Sequence, residues 1–470
     1  MNKKFYVTTP IYYVNDEPHI GHAYTTLAAD IVARYYRKNL RKENVFFLTG
    51  TDEHGLKVQQ AAETEKLSPK EFADKVAPRF SEAWKLLNIE PDYFIRTTDP
   101  RHEKVVQELL QKIYDAGYIY KGTYKGLYCV GCEKFLKESD LTNGKCPLHP
   151  NKEPVYQEEK NYFLKLSELS KKVLEKIEKE EYKIVPPKRR HEILSKLVMG
   201  VEDISISRAG VPWGIPIPWD KTQTIYVWVD ALINYYSATQ FLEGKEKFWP
   251  ADLHLVGKDI LWFHSVIWQA LLIAVGIELP GTIFAHGFFT VDGQKMSKSL
   301  GNVISPKQLV DRYKVDGARY LIISAYPFGE DGDISLKRFD EKYNADLANG
   351  LGNLIARVAK MAADFDFDTK PAYADRFSEA LTRFGMIYEF DKALEIIWNK
   401  IKECDFLINE KKVWELPHKE KGGVLTVLVK KIREIAYDLK PFLPATSKKI
   451  EKQFVGPKIK SQKPLFPRLE

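Results

Sequence analysis

Two histidines stand three positions apart in the stretch PHIGHAY, residues 18–24. The chain has only 10 histidines in 470 residues, so His19 and His22 could form a metal site, a packing arrangement or a phosphate cradle. The stretch lies where a predicted strand gives way to a predicted helix, and helix N-termini bind anions through unpaired N–H groups. Gly21 would let a ligand approach the backbone, and both imidazoles can donate to phosphate oxygens. The spacing therefore favours a phosphate cradle.

A second stretch carries positive charge and hydroxyl groups between two glycines. It reads GQKMSKSLGN, residues 293–302, and contains Lys295 and Lys298. A flexible cationic loop of this kind can close on a triphosphate and stabilise the charge that develops there. The alternative is an ordinary solvated turn.

A third stretch has the spacing of a metal site. Cys129 and Cys132 form one close pair, and Cys146 and His149 form another. Four such ligands suit tetrahedral zinc, and a complete protein ligand set indicates a structural metal, one Zn²⁺ per chain. Buried thiols without metal are the alternative. Four cysteines in a chain of this length do not predict a disulfide framework.

The surrounding pattern predicts how these stretches are held. Apolar runs at 4–14 and 44–52 read as buried strands, with a helical pattern at 23–40 between them, which is typical of an α/β parallel sheet. Amphipathic helices are predicted at 345–361, 386–412 and 424–442. We therefore predict a sheet domain interrupted by an insertion and followed by a helix bundle. The expected boundaries are 1–115 and 225–292 for the two sheet halves, 116–224 for the insertion, 293–342 for the lysine-loop region and 343–470 for the bundle.

The charge of the chain is concentrated at its C-terminal end. Residues 401–470 carry 16 lysines and arginines against 9 aspartates and glutamates, which accounts for the whole net charge of +7. A basic end suits a polyanionic partner such as RNA, although a solvated lysine-rich helix face would look the same.

One apolar run is long enough to raise the question of a membrane-spanning helix. Residues 260–277 contain no Asp, Glu, Lys or Arg over 18 positions, near the threshold for a membrane helix. They include His264 and Gln269 and lack interfacial flanks, so a helix packed on a buried sheet is the better interpretation. The N-terminus also lacks a secretion signal. We expect a cytoplasmic protein without a membrane span.

The histidine stretch, HIGH, and the lysine loop, KMSKS, occur in that order and are split by an insertion. Together they resemble the class I aminoacyl-tRNA synthetases over nearly the whole chain. The zinc knuckle in a short insertion is similar to the methionyl family rather than to the leucyl, isoleucyl or valyl families. The resemblance implies a Rossmann-type catalytic domain, an inserted connective domain and an α-helical anticodon-binding bundle.

The implied activity is that of a methionine–tRNA ligase. It would activate L-methionine with ATP and Mg²⁺ to methionyl-adenylate, and then transfer methionine to the 3′-terminal adenosine of tRNA(Met). We expect a monomer.

The resemblance also assigns site residues. His19, Gly21, His22, Lys295 and Lys298 would contact ATP phosphates, and Gly257 and Asp259 would hold the ribose. Asp52 would meet the ammonium group of methionine. The methionine side chain would be lined by Ile11, Tyr13, Trp228, Ala231, Leu232, Tyr235, Ile260, Phe263 and His264, and Tyr13 or His264 could donate to the thioether.

The bundle residues similar to anticodon readers are Asn353, Arg357 and Trp414. An aromatic that stacks a splayed base, together with an Arg and an Asn for hydrogen bonds, is how single-stranded RNA loops are read. As an alternative, Trp414 would belong to the bundle core.

Two other functions remain open at this point. A smaller nucleotidyltransferase could share HxGH, but it would need neither the lysine loop with a zinc insertion nor a basic helix bundle. A non-catalytic tRNA-binding relative is the other alternative, although such proteins usually lose the phosphate-contacting residues, and His19, His22 and Lys298 are all present.

Overall fold

The computed structural model describes residues 4–15, 17–129, 134–136, 141–147, 151, 153–296, 301–369, 377, 381 and 388–470. These residues fold into two compact units, each built from several segments of the chain. The first unit contains the residues up to Pro18, Phe46–Glu82 and Pro91–Ala285, and the second contains His19–Val45, Ala83–Glu90 and His286–Glu470.

The described part of the chain contains sixteen strands and fourteen α-helices. The strands are β1 Phe5–Tyr13, β2 Val45–Asp52, β3 Tyr93–Arg96, β4 Ile119–Cys129, β5 Lys134–Leu136, β6 Val155–Leu164, β7 Lys183–Val185, β8 Ile204–Ser205, β9 Ser207–Arg208, β10 Pro216–Ile217, β11 Asp220–Ile225, β12 Leu253–Gly257, β13 Thr282–His286, β14 Phe289–Val291, β15 Gln294–Lys295 and β16 Gly332–Ile334. The helices are α1 Ile20–Leu40, α2 Leu56–Thr64, α3 Pro69–Leu86, α4 Pro100–Asp115, α5 Leu166–Glu178, α6 Pro187–Val198, α7 Val227–Phe241, α8 Trp268–Ala274, α9 Pro306–Ile323, α10 Leu336–Lys342, α11 Asn353–Met361, α12 Phe390–Glu410, α13 His418–Asp438 and α14 Pro444–Phe454.

The first unit is organised on a six-stranded sheet in the order β3-β2-β1-β12-β13-β7. β1 pairs with β12 in parallel, with Val7 opposite Leu253, and β2 pairs with β3 in parallel, with Leu48 opposite Tyr93. β13 and β7 are also parallel. The predicted parallel α/β sheet is therefore confirmed.

The sheet is buried on both faces, as its apolar strands require. Every residue of β2 is buried, which is typical of a strand covered by helices on each side. The Val14 N–H donates to the Asp52 carbonyl at 3.2 Å, so β1 and β2 end at the same edge. Tyr13, Asp52 and Gly257 are the last residues of β1, β2 and β12. Three predicted site residues thus end three neighbouring strands, the edge at which open parallel sheets bind ligands.

The predicted insertion contains a separate antiparallel sheet in the order β5-β4-β6-β8. β4 and β6 form a long ribbon, paired from Ile119 opposite Leu164 to Tyr128 opposite Val155. These strands have 11 and 10 residues. The same predicted insertion also supplies β7, which belongs to the six-stranded sheet and not to this one.

The apolar run 260–277 is helical and buried, but it is not one regular helix. A 3₁₀ turn covers Lys258–Ile260, a π-helical stretch covers Phe263–Ile267, and α8 follows. No helix within the described ranges has both the length and the hydropathy needed to cross a membrane.

The second unit contains α1, a small sheet in the order β15-β14-β16, and the helices from α9 onward. The predicted helix 345–361 is a π-helical stretch, Tyr343–Gly352, continued by α11. The predicted helices 386–412 and 424–442 correspond to α12 and α13, and the first residues of the former, up to 387, lie outside the described residues.

A buried guanidinium joins several segments of the second unit. Arg319 on α9 is fully buried and pairs with Asp30 on α1 at 2.9 Å. It also donates to the carbonyls of Leu87, Asn88, Pro441 and Phe442 at 2.8–3.2 Å. All five of its N–H donors are thereby used. Burial alone would raise the pKa of Asp30, but Arg319 and Arg34 hold it below its usual value.

Candidate active site

The two histidines of PHIGHAY cap the N-terminus of α1. The His19 ring accepts from the Gly21 N–H through Nδ1 at 3.1 Å, and the His22 ring accepts from the His19 N–H through Nδ1 at 3.3 Å. This is the reciprocal arrangement of a capping box, built from imidazoles instead of the usual hydroxyl and carboxylate. Because each Nδ1 is an acceptor, the ring proton of each histidine must sit on Nε2.

Stacking favours the neutral form of these rings. The two ring centroids are 3.8 Å apart with planes 22° from parallel. Burial, with a further contribution from the neighbouring His19, holds the pKa of His22 well below its usual value. His22 is therefore a neutral Nε2–H donor at neutral pH, and the helix N-terminus adds its dipole.

Gly21 leaves room for the ring that caps the helix. A Cβ at this position would lie 2.9 Å from Cε1 and 3.0 Å from Nδ1 of His19, so the capping ring occupies the space that a side chain would need. The terminal methyl of Met296, in the lysine loop, would be the next nearest atom at 3.6 Å. The Ile20 N–H donates to the Ile304 carbonyl at 2.8 Å, which ties the start of α1 to the residues after the loop.

Only one of the two lysines of the loop lies among the described residues, and its phosphate contact stays a prediction. Lys295 pairs through its backbone with Thr290, as part of β15. Lys298 lies outside the described residues. The metal alternative for the histidine pair has no support in the described ranges, where no three His, Cys, Asp or Glu side chains form a metal-binding group.

The predicted methionine residues lie together in the first unit. Trp228 and Phe263 stack at 4.2 Å with planes 15° apart, and Tyr13 meets Trp228 edge-on at 6.2 Å. The partly buried members all pack on one hydrophobic cluster, and these are Ile11, Tyr13, Trp228, Ile260 and Phe263. The remaining members are buried, and these are Ala231, Leu232, Tyr235 and His264.

His264 has no N–H available to donate to the methionine thioether, which was one of the two roles that the sequence suggested. Its Nδ1–H donates to the Ile260 carbonyl at 2.9 Å, and its Nε2 accepts from the Tyr235 hydroxyl at 2.7 Å. Burial lowers the pKa of His264 to about 4, so the ring is neutral and has one proton, which Ile260 already takes. Of the two donors considered for the thioether, only Tyr13 remains.

The polar residues of the expected nucleotide and ammonium sites lie at strand ends. Asp52 is buried, and its charge adds to burial in raising the pKa of the Tyr235 phenol. Gly257 is buried at the end of β12, and Asp259 follows it, exposed, in the 3₁₀ turn.

Two of the four predicted zinc ligands are described. Cys129 ends β4, and both Cys129 and Cys146 are buried in one small cluster with Leu136 and Leu141. Cys132 and His149 lie outside the described residues.

The predicted anticodon residues share the helical part of the second unit. Asn353 and Arg357 are one turn apart on α11, where Asn353 is exposed and Arg357 contacts Asp405 and Asn409 of α12 at 3.2 and 2.9 Å. Trp414 is 49% exposed, with its indole N–H donating to Glu415. The alternative that Trp414 belongs to the bundle core is therefore wrong.

One group of buried polar residues was missed from the sequence. His54 and His102 both bind the carboxylate of Asp230, each at 2.7 Å. His54 and Asp230 stand within GTDEHG and YVWVDALINYY, the segments that carry Asp52 and Trp228. Their location in these two segments is the only feature of the sequence that points to them. Their hydrogen bond leaves no local pattern, because 176 residues separate the two partners.

Comparisons with known proteins show which family the chain resembles. The family model described as "tRNA synthetases class I (M)" matches residues 5–153 and 140–359. The methionine–tRNA ligase of Thermotoga maritima is 44% identical over 95% of this chain and 74% of its own length. That of Streptomyces coelicolor is 42% identical over 95% and 89%. A solved Mycobacterium tuberculosis methionyl-tRNA synthetase in complex with methionyl-adenylate superimposes with a TM-score of 0.91 at 35% identity, covering 99% of this chain and all of that one. The chain therefore belongs to the class I tRNA synthetases, in the methionine–tRNA ligase family.

Proposed function

We propose that this chain activates L-methionine with ATP and then charges tRNA(Met). The observation that carries the proposal is the pair of stacked imidazoles capping α1, which fixes two Nε2–H donors at a helix N-terminus. Such a site suits a phosphate whose charge rises during reaction.

In the first step, the methionine carboxylate attacks the α-phosphorus of ATP. The new bond joins the carboxylate oxygen to phosphorus, the bond to the bridging oxygen breaks, and pyrophosphate leaves with that bonding pair. A free carboxyl group has a pKa well below neutrality, so no general base is needed. His19 and His22 donate to the phosphate oxygens as phosphorus becomes five-coordinate, and Lys295 and Lys298 hold the departing pyrophosphate. Mg²⁺, bound with ATP, supplies further neutralisation of phosphate charge.

In the second step, a hydroxyl of the 3′-terminal adenosine attacks the methionyl carbonyl and forms the ester bond, while the bond between the carbonyl carbon and the phosphate oxygen breaks. AMP leaves with that bonding pair, and the hydroxyl proton is released to solvent. Similarity to the class I enzymes implies the 2′-hydroxyl as the initial acceptor. The residues of this chain hold the reactants during both steps. Asp52 pairs with the ammonium group, Gly257 and Asp259 bind the ribose, and Tyr13 faces the thioether.

The parts of the chain outside the sheet have separate roles in this proposal. Residues 116–224 are assigned to the inserted domain, except that β7 within them pairs with β13 in the six-stranded sheet. One Zn²⁺ would pin the antiparallel part of this domain through Cys129, Cys132, Cys146 and His149. Cys129 and Cys146 are buried in the same small cluster, and they fit such a site because thiolates are preferred zinc ligands. Residues 343–470 would read the anticodon, with Asn353 and Arg357 hydrogen-bonding the loop and Trp414 stacking a base.

An ATP–pyrophosphate exchange assay with each standard amino acid tests the activity. We expect exchange with methionine alone, and charging of tRNA(Met) after it. Exchange with a different amino acid would identify another specificity, and no exchange at all would favour a non-catalytic tRNA-binding protein.

A further inference from the structure

The chain after β2 is anchored on the side of β3 through Glu53. This buried carboxylate receives two bonds from Arg96, at 2.6 and 2.8 Å, and further bonds from the hydroxyls of Thr51 and Thr98. The Glu53 carbonyl accepts from the Trp213 indole at 2.6 Å. One side of the segment that follows Asp52 is thus fixed.

The next residue, His54, is held from a different direction. Its Nδ1 bonds to Oδ2 of Asp230 at 2.7 Å, and Oδ1 of the same carboxylate bonds to Nε2 of His102 at 2.7 Å. The Nδ1 of His102 in turn meets the Ser237 hydroxyl at 2.7 Å. His54, Asp230, His102 and Ser237 are all buried.

The position of Asp230 gives this network its importance. It lies in the first turn of α7, between Trp228 and Ala231, two residues expected to line the methionine side chain. His54 lies two residues after Asp52, which is expected to meet the ammonium group. The ammonium and the side chain leave the same Cα of methionine, so the elements that bind them must be held at a fixed separation.

We propose that His54 is a positioning residue for methionine, which acts through Asp230 to hold the Asp52 end of β2 in place against the Trp228 face of α7. The inference rests on the proposed function, because methionine is the ligand that is positioned.

The electrostatic surroundings strengthen this link. Burial alone would lower the pKa of His54, but the charge and hydrogen bond of Asp230, with Glu103 and Glu53 nearby, raise it above its usual value. Glu103 Oε1 lies 3.7 Å from His54 Nε2, and the Trp213 ring meets the imidazole edge-on. A charge-assisted bond of this kind is shorter and stronger than a neutral one.

The test compares His54→Ala with His54→Asn in methionine-dependent pyrophosphate exchange. Misplacement by about 1 Å can cost about 100-fold, so we expect the alanine variant to raise the KM for methionine by about 10- to 100-fold. The KM for ATP should stay within about twofold. Asparagine places an N–H donor near the position of Nδ1, so His54→Asn should recover most of the methionine KM.

His102→Ala is the matched control, because it removes an imidazole from the same carboxylate without touching the connection to β2. We expect it to lower the thermal unfolding midpoint about as much as His54→Ala, with a much smaller change in methionine KM. Equal KM changes in the two alanine variants, or a His54→Ala variant with the wild-type methionine KM, would overturn the proposal. Wild-type protein without methionine-dependent exchange would instead refute the proposed function.

Discussion

Replacing His19 with asparagine separates two roles of one imidazole. The ring caps α1 through Nδ1, at 3.1 Å from the Gly21 nitrogen, and it presents its proton on Nε2. The side-chain oxygen of asparagine can accept from the Gly21 N–H in the same way, because asparagine is among the best N-cap residues. It has no counterpart of Nε2. His19→Asn therefore keeps the cap and deletes the donor that we assign to phosphate.

The two roles contribute different amounts of free energy, one to folding and one to the reaction rate. An N-cap replaced by alanine costs about 0.5–2 kcal/mol of stability, so His19→Ala should lower the unfolding midpoint by a few degrees and His19→Asn should not. A donor aimed at developing negative charge contributes about 10²–10³ in rate, equivalent to about 2.7–4 kcal/mol. His19→Asn should thus lose about 100-fold or more in exchange rate at near wild-type stability.

Methionine-dependent exchange at saturating ATP and methionine, with a thermal melt of the same preparation, measures both effects. His19→Ala is the comparison, since it should lose the rate and the cap together. If His19→Asn exchanges within about threefold of wild type while it melts normally, the imidazole is a helix cap and the phosphate assignment is wrong.

Three further outcomes follow from the other sites. Gly21→Ala should lower the exchange rate about tenfold or more, because its Cβ would lie 2.9 Å from His19 Cε1 and displace the ring. An unchanged exchange rate would show that the alanine only raises helix propensity and does not displace the ring. Trp414→Ala should weaken tRNA(Met) recognition by about 1–3 kcal/mol with exchange and melting unchanged, since the indole is half exposed, and parallel loss of exchange would contradict the anticodon role. Metal analysis of the wild type should find one zinc per chain, and Cys146→Ser should lose it and impair charging of tRNA more than exchange, so unchanged zinc content in the variant would refute the ligand assignment.

The sequence predicted the parts of the fold that are set by local patterns. β1 and β2 lie within a residue of the expected limits, because continuous apolar runs specify strands that are buried on both faces. α1 begins at Ile20, three residues before the helix that the sequence predicts from Ala23. Histidine is not a usual N-cap residue, so the spacing of His19 and His22 indicated a ligand site without indicating the cap.

The sequence predicted which residues of the candidate site lie at the ends of parallel strands. Tyr13, Asp52 and Gly257 end neighbouring strands, and parallel pairing brings them to one edge. The hydrogen bonds of individual side chains could not be predicted in this way. His54 bonds to Asp230 across 176 residues, so tertiary packing alone decides that contact. The Nδ1–H of His264 donates to the Ile260 carbonyl only four residues earlier, but the sequence pattern does not specify the side-chain rotamer or the tautomer that this bond needs.

The guanidinium of Arg319 limits how far this chain can be truncated from its C-terminal end. Two of its five donors end on the carbonyls of Pro441 and Phe442, which connect α13 to α14, while another meets Asp30 in the middle of α1. A fragment that ended before residue 441 would keep the buried charge and lose two of its acceptors, at a cost of about 1–3 kcal/mol for each unsatisfied group. The C-terminal helices are therefore not a detachable module, and a minimal catalytic fragment needs either the chain through Phe442 or a replacement for Arg319.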